Sequence, residues 1–349
     1  MSIVAARLEQ LTRFPRRFLS AARHRGPVTA HFDGKRFRNT TPTMRWSTEV
    51  FKWLLSRRPE AWPDAVESVA APLPMTRSDG LRVTLVNHAT VLIQVCGLNI
   101  LTDPVWSDRV GPYRMLSCRR VRAPGIAFDD LPPIDLILLS HDHYDHLDVP
   151  TLKRLMTRDQ PRLLTGLGVD TSLSIEGLDG AEALDWWESR HINTDVRVTF
   201  APCRHFSGRG LNDQDATLWG SFVLHTPHGA VYFGGDTGYG PHFEEVRKLL
   251  GPMTLALLPI GCYEPRWFMG PVHMAPEEAV RAHQDLGATR SLGIHFGTFR
   301  LGDEGYERPG ADLKAAVASA GLPPEAFTAP AFGVGDDIVA PPMSIRQAT

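Results

Sequence analysis

The chain has 349 residues, of which 43% are apolar and 22% are charged, and its net charge is −2. This is an ordinary composition for a soluble globular protein with one large domain or two smaller ones. The sequence lacks the run of about eighteen apolar residues that a transmembrane helix needs, and its first residues lack the apolar stretch of a secretory signal. Its four cysteines show no Cys-x-x-Cys spacing. We therefore expect reduced thiols in a cytoplasmic protein.

The charge is unevenly distributed along the chain. Residues 1–60 hold thirteen Lys and Arg against four Asp and Glu, a balance of +9, whereas the rest holds 24 against 35, a balance of −11. A basic leading segment predicts an electrostatic partner, either an anionic membrane face or nucleic acid. No nucleic-acid reader motif accompanies the charge, which favours the membrane. A solvated arm is the alternative. We treat residues 1–70 as a basic N-terminal segment with membrane-docking helices and 71–349 as the main domain.

Hydrophobic periodicity gives the predicted elements in chain order. Amphipathic helices are expected over residues 3–19, where Pro15 interrupts the pattern, and over Thr48–Leu55, which suits a membrane interface or packing on the main domain. Strands are predicted at Leu81–Val86, Thr90–Val95, Leu98–Thr102, Ile134–Leu139, Leu163–Leu164, Val196–Phe200, Ser221–His225, Val231–Phe233, Leu255–Leu258 and Ser291–His295. Helices are predicted at Val149–Thr157, Phe243–Leu250 and Pro276–Leu286, and Arg109–Pro133 is expected to be irregular. Strand-rich blocks with helices between them indicate α/β or α+β layers.

The densest group of reactive side chains, His141-Asp142-His143-Tyr144-Asp145-His146, directly follows the strand Ile134–Leu139 and Ser140. Side chains two apart in extended backbone point the same way, so His141 and His143 converge on one ion. If the chain turns there, Asp145 and His146 reach a second ion. Imidazole and carboxylate ligands without sulfur suit zinc, with iron and manganese as alternatives. A polar loop with chance histidines is the other interpretation, and four ligand-type side chains at this spacing argue against it.

Three later residues also lie at or just past the end of an apolar strand: His205, Asp236 and His295. Two glycines before Asp236 let the backbone turn sharply. Singly, each is an ordinary polar residue. Together with the first group, they predict a metal centre built from several strand ends.

In this order, the ligand-type residues resemble the metallo-β-lactamase superfamily, which implies a four-layer αβ/βα sandwich with a two-metal site at the strand ends. A narrower resemblance rests on further strings, the most specific being Tyr263-Glu264-Pro265-Arg266-Trp267-Phe268-Met269. The other strings are Asn87–Leu92, Leu101–Pro104, Leu184–Glu188, Gly235–Tyr239, Pro276–Val280 and His295–Phe299. From about Val83 to beyond Phe299 the chain is similar to the N-acylphosphatidylethanolamine-hydrolysing phospholipase D family. Residues 71–349 then read as the catalytic domain.

The resemblance implies a ligand assignment and a reaction. One metal is expected on His141, His143 and His205. The other is expected on Asp145, His146 and His295, with Asp236 bridging the two. The cofactor is then two Zn²⁺, with iron and manganese left open. The implied reaction is hydrolysis of N-acylphosphatidylethanolamine to N-acylethanolamine and phosphatidate. A phosphodiester suits such a site because its developing negative charge lies beside two cations.

Other residues are expected to act on the substrate. Asp145 is implied to hold the attacking water in line, and His273 to protonate the leaving oxygen or to contact the substrate. Tyr144 and Arg209 are candidate phosphate contacts, with packing for Tyr144 and an ordinary surface position for Arg209 as the alternatives.

Two further polar residues and three departures from the family pattern complete the expected site. Asp103 is expected to orient a ligand histidine, whereas His88 has no partner at ligand spacing and is interpreted as structural. Phe206 and Phe296 stand where the family has Trp, and Val272 stands where it has Gln. These changes leave the ligands intact and affect the fit of the headgroup.

The expected partners are a phospholipid substrate, a peripheral membrane surface and, from the family, a second copy in a homodimer; no nucleic acid is expected. The expected location is the cytoplasm, on the inner face of the membrane. Trp186, Trp187, Trp267 and Phe268 are expected in the core. Two alternatives stay open: a lactonase or other phosphodiesterase of the same superfamily, and a membrane-associated binding module with a degenerate site.

Overall fold

The computed structural model describes residues 24–41, 46–67, 71–112, 117–210 and 212–339. Its strands are β1 (Leu81–Asn87), β2 (Thr90–Val95), β3 (Leu98–Thr102), β4 (Arg109–Val110), β5 (Cys118–Arg119), β6 (Leu136–Leu139), β7 (Arg162–Gly166), β8 (Glu182–Leu184), β9 (Ser189–His191), β10 (Arg197–Ala201), β11 (Ser221–Thr226), β12 (Gly229–Phe233), β13 (Leu255–Pro259), β14 (Arg290–Ile294), β15 (Phe327–Thr328) and β16 (Gly335–Ile338). The expected helix over residues 3–19 lies outside the described residues.

The described helices are α1 (Trp46–Ser56), α2 (Val149–Arg158), α3 (Val169–Ile175), α4 (His242–Leu250), α5 (Arg266–Met269), α6 (Pro276–Asp285) and α7 (Arg308–Ser319). A short 3₁₀ helix covers Phe128–Asp130. None of these helices is long and apolar enough to cross a membrane.

Two seven-stranded mixed sheets form the centre of the molecule. The first has the order β16-β1-β2-β3-β6-β7-β8, and the second has the order β15-β14-β13-β12-β11-β10-β9. The strands β3, β6, β7 and β8 are parallel, as are β12, β13, β14 and β15. The central strands are almost wholly apolar; every residue of β6 and β13 is buried. Parallel strands covered on both faces require this composition.

Apolar side chains fill three layers between four layers of secondary structure. One core lies between the two sheets. A second lies between the first sheet and α2 and α3, and a third between the second sheet and α4, α6 and α7. The four-layer αβ/βα sandwich expected from the sequence is confirmed.

The described part of the N-terminal segment packs on this sandwich. We call residues 24–41 the strap. Its Phe32 and Phe37 are each 2% exposed and belong to the core between the sheets. Helix α1 follows the strap, and its Val50 and Trp53 pack against Phe268 and Met269 of the short helix α5. The amphipathic stretch therefore forms the predicted helix, and that helix packs on the main domain.

Strand direction places the ligand-type residues together. The parallel pairs β3–β6 and β13–β14 point their carboxyl ends to one edge of the sandwich. Strand β12 pairs in parallel with β13. One antiparallel strand separates β1 from β3 and β10 from β12, so β1 and β10 run in the same direction as these parallel strands of their sheets. Residues that follow these strands therefore meet at one edge.

Candidate metal centre

The first ligand cluster comprises His141, His143, His205 and Asp236, whose ligand atoms lie within 4.8 Å of one another. The Nδ1 atom of His143 lies 2.8 Å from Nε2 of His141 and 3.2 Å from Nε2 of His205. Ligand atoms on a tetrahedral zinc ion at about 2.0–2.1 Å are about 3.3 Å apart. The spacing of the cluster thus fits one metal ion.

The second ligand cluster comprises Asp145, His146 and His295, together with His88. Oδ2 of Asp145 lies 3.4 Å from Nε2 of His146 and 3.3 Å from Nε2 of His295. Asp236 also reaches this cluster, because its Oδ2 lies 3.2 Å from Nε2 of His146 and its Oδ1 lies 3.1 Å from Nε2 of His295. One carboxylate therefore faces both clusters.

Hydrogen bonds behind the clusters fix the ring orientations. His146 donates from Nδ1 to Oδ2 of Asp103 at 2.6 Å, and the hydroxyl of Ser140 donates to the same oxygen at 2.6 Å. His141 donates from Nδ1 to that Ser140 hydroxyl at 2.9 Å. His205 donates from Nδ1 to the carbonyl of Val272 at 3.0 Å. All three rings thus turn Nε2 towards the clusters, the orientation that metal ligands require. Asp103 takes the orienting position that was expected for it.

The charges of the clusters also suit a cation. Burial lowers the pKa values of His141 and His205 well below the usual range of histidine, so both rings are neutral. Burial alone would raise the pKa of Asp236, but the neighbouring His146 and His295 hold it well below its ordinary range. The first cluster therefore presents neutral imidazoles at His141 and His205 and an ionised carboxylate at Asp236.

Buried acceptor atoms provide a direct test of the fit. Nε2 of His146 faces carboxylate oxygens of Asp145 and Asp236, and these carboxylates favour a positive charge there, since they raise the pKa of the ring well above its ordinary range. Within the described residues, Nε2 of His146 and Oδ1 of Asp236 are buried with no hydrogen-bond partner. Acceptors that face one another in a buried site repel unless a cation lies between them. The residues present fit a metal ion.

A pocket of about 230 Å³ opens above the clusters. It is lined by Val50, Trp53, His143, Asp145, Phe206, Asp236, Cys262, Phe268, Met269, His273, His295 and Leu301. His273 lies beside the clusters, with Nδ1 4.0 Å from Oδ2 of Asp236. Burial lowers the pKa of His273 to about 4. The pocket thus joins the two ligand clusters to a buried histidine and an apolar wall.

Tyr144 and Arg209 contact each other. The Tyr144 hydroxyl donates to the carbonyl of Arg209 at 2.8 Å, and the Arg209 guanidinium lies 3.8 Å from the Tyr144 ring centroid. Arg209 also donates from Nη1 to the carbonyls of Asp142 and Leu147. These contacts stabilise the conformation of the loop 141–147, which carries four of the ligand-type residues. The phosphate contacts of Tyr144 and Arg209 stay predictions.

Sequence reasoning gave His88 no partner, but the structure places it in the second cluster. Its Nε2 lies 3.0 Å from Oδ2 of Asp145, and its backbone carbonyl accepts from the backbone N–H of His295 at 2.8 Å. The ring is 1% exposed and lies 4.0 Å, centroid to centroid, from that of His295. The sequence did contain an indication of this, because His88 directly follows strand β1, and the predicted ligands also come after the ends of strands.

Comparison with known proteins extends these observations. The family model described as "Beta-lactamase superfamily domain" matches residues 98–296. An uncharacterized protein of Mycobacterium tuberculosis is 40% identical over 260 residues, which cover 71% of this chain and 69% of that protein. The N-acyl-phosphatidylethanolamine-hydrolyzing phospholipase D 1 of Caenorhabditis elegans is 35% identical over 298 residues, which cover 78% of this chain and 84% of that enzyme.

Among solved structures, the isothiocyanate hydrolase from Delia radicum gut bacteria has a TM-score of 0.60 at 19% identity, covering 74% of this chain and all of that one. That likeness supports the fold. The matched family model and the curated relatives, taken with the clusters, identify the class of protein. The chain belongs to the beta-lactamase superfamily and, within it, to the N-acylphosphatidylethanolamine-hydrolysing phospholipase D family, and it is a metal-dependent hydrolase.

Proposed function

We propose that the protein binds two divalent metal ions, zinc in the first instance, and hydrolyses N-acylphosphatidylethanolamine to N-acylethanolamine and phosphatidate. The observation that carries the proposal is the position of Asp236, which faces two ligand clusters beneath one pocket. The C. elegans and Saccharomyces cerevisiae relatives carry this activity in their names. When bound, two metals lower the pKa of water and offset the charge of a phosphodiester during displacement.

Asp145 is the residue we assign to the attacking water. Its side chain is 14% exposed, whereas those of His146 and His295 are at most 1% exposed, so among these three it is the one open to the pocket. His88 donates from Nε2 to its Oδ2, which holds the carboxylate in place. An oriented carboxylate accepts a proton from water and keeps the oxygen in line with phosphorus.

His273 is the residue we assign to the leaving oxygen. It is buried in the pocket wall, and its Nδ1 has no hydrogen-bond partner within the described residues. An anionic phosphodiester bound beside it raises the pKa of the ring by Coulomb attraction. The protonated ring then donates to the departing alkoxide.

The pocket suits the polar head of a lipid. Ligand pockets for whole drug-sized molecules enclose about 300–1,000 Å³, and this one encloses about 230 Å³. Its wall carries Trp53 stacked on Phe268, with ring centroids 4.8 Å apart. We infer that the phosphoryl group enters the pocket and that the acyl chains stay against the apolar rim.

The rim also supports the expected membrane partner. On α1, Leu54 is 56% exposed and Leu55 is 74% exposed, and the neighbouring Trp267 is 40% exposed with Lys52 Nζ 4.8 Å from its ring centroid. Exposed apolar side chains with a cation beside one of them suit the interface of an anionic bilayer. We propose that this rim, together with the basic residues of the N-terminal segment, rests on the membrane that holds the substrate.

The proposal is tested by metal analysis and a lipid panel on the full-length protein. Elemental analysis is expected to show close to two metal ions per chain, and mass spectrometry is expected to show N-acylethanolamine and phosphatidate in equal amounts. Asp236→Ala should nearly abolish turnover and keep its circular dichroism spectrum. Asp337→Ala, at the edge of the first sheet, is the control and should keep activity. Turnover of a lactone or a different phosphodiester in place of this lipid, or full activity without metal, would reject the proposal.

A further inference from the structure

Asn39 of the strap binds the backbone of a metal ligand. Its Nδ2 donates to the carbonyl of His205 at 2.7 Å, and its Oδ1 accepts from the backbone N–H of His205 at 3.2 Å. These two residues are 166 positions apart in the chain. A carboxamide carries a donor and an acceptor on one plane, so it can pair with both backbone groups of a single residue.

Asn39 fixes the backbone of His205, and a separate bond fixes its ring. Within the described residues, the structure gives the N–H and carbonyl of His205 no other partner, and the residue is 1% exposed. The ring is fixed separately, by the bond from Nδ1 to the carbonyl of Val272. Asn39 therefore sets the backbone plane of His205, Val272 sets the rotation of the ring, and Nε2 is left for the first cluster.

The strap holds Asn39 rigidly in this position. Phe37, two residues earlier, is buried between the sheets, and its N–H donates to the carbonyl of Asp215 at 2.7 Å. Oδ1 of Asn39 also accepts from Nε1 of Trp219 at 3.1 Å. A side chain anchored on both sides in this way transmits its position to the groups that it binds.

We propose that Asn39 is a positioning residue for the first metal cluster, so that the strap is part of the metal centre. The inference rests on the metal use of the family and does not depend on which lipid is cleaved. Partners behind a ligand typically change metal affinity by about 10–100-fold when they are removed. Asn39 acts on the backbone of the ligand in the same way as such partners act on its ring.

The test compares metal binding in full-length variants. Asn39→Ala should lower the affinity of the first cluster for Zn²⁺ by about 10–100-fold in competition with a chromophoric chelator. The visible absorption of the Co²⁺-loaded variant should also change, since its ligand geometry relaxes. Asn99 of β3 is a matched control, because it is buried in the first sheet and its Nδ2 donates to the backbone carbonyls of Thr76 and Pro133. Asn99→Ala should lose thermal stability and keep the Zn²⁺ affinity and the Co²⁺ spectrum.

A second variant covers the case in which Asn39→Ala does not fold. Asn39→Asp has the same shape and still accepts from His205 and Trp219, but it cannot donate to the carbonyl of His205. It is expected to fold and to show the same direction of change in Zn²⁺ affinity and Co²⁺ spectrum. Wild-type affinity and spectrum in either folded variant would overturn the proposal, and would leave Asn39 a structural residue only. Neither outcome depends on lipid turnover, so the proposed reaction is judged separately.

Discussion

At the scale of single residues, substitution of His273 distinguishes a role in proton donation from a role in substrate binding. His273→Ala should lower kcat on an alkoxide-leaving lipid by about 10²–10⁴-fold, because the leaving oxygen then departs without a proton. An aryl phosphodiester, whose leaving group needs no proton, should be affected much less. Steady-state kinetics on both substrates measure the difference.

A second buried histidine provides the control for this measurement. His283 lies on α6 and bonds through Nδ1 to the hydroxyl of Ser291 at 2.8 Å, away from the pocket. His283→Ala is expected to cost stability and to keep the ratio of the two activities. Equal losses on both substrates in His273→Ala would reject the general-acid role and favour phosphate binding.

The seven predicted ligands meet at one edge of the sandwich because all of them follow buried strands, and one physical rule decides where such residues lie. A polar residue with ligand atoms that directly follows a buried strand cannot lie in the strand, so it lies at the sheet edge. His88 obeys the same rule and was passed over, because its partner Asp145 is 57 residues away. Asn39 could not be predicted at all. Its bonds to the backbone of His205 leave no pattern in the sequence.

At the scale of elements, α1 connects the pocket to the proposed membrane surface. The double substitution Leu54→Glu with Leu55→Glu should weaken binding to anionic vesicles. Two exposed apolar side chains are then replaced by carboxylates, which have the same sign of charge as the lipid headgroups and are repelled by them. Turnover of vesicle lipid should fall with it. Hydrolysis of a short soluble phosphodiester should stay close to that of the unchanged protein.

Vesicle co-sedimentation at low and high salt measures this effect. Leu249→Glu is the matched control, because Leu249 is also 56% exposed but lies on α4, which packs on the second sheet. If the α1 variant and the control sediment alike, the rim is not a docking surface. The basic residues 1–23 lie outside the described residues, and their contribution is measured by removing them alone, which keeps the strap.

Several of the elements that the sequence did not predict share a physical cause. Strands β4, β5 and β15 have two residues each, and β16 contains two aspartates, so none shows apolar periodicity. Helix α7 buries only Pro309, Leu313 and Val317, which is a narrow stripe. Long apolar runs such as Leu136–Leu139 predict their strands well. Edge elements take their conformation from neighbours that are distant in sequence.

At the scale of the whole molecule, the ligand clusters join the two sheets. His141, His143, Asp145 and His146 follow a strand of the first sheet, whereas His205, Asp236 and His295 follow strands of the second. A metal that binds only the folded protein stabilises it by about 2.7 kcal/mol when its free concentration is about 100 times Kd. Chelation should therefore lower Tm by about 5 °C or more.

Differential scanning calorimetry with and without a chelator tests this expectation. The Asp236→Ala variant is the comparison, and its Tm should respond less to the chelator, because both clusters have lost a ligand. An unchanged Tm after verified metal removal would show that the ions do not join the sheets in the folded state.

The shared Asp236 has a further consequence. In the proposed two-metal site one carboxylate serves both clusters, so filling one cluster alters the charge and order that the other ion meets. By thermodynamic reciprocity, the factor by which the first ion changes the affinity for the second equals the factor by which the second changes the affinity for the first. Metal loading is then governed by a coupling free energy as well as by two binding constants. The steepness with which activity responds to metal supply measures that coupling, and Asp236 is the residue through which it can be tuned.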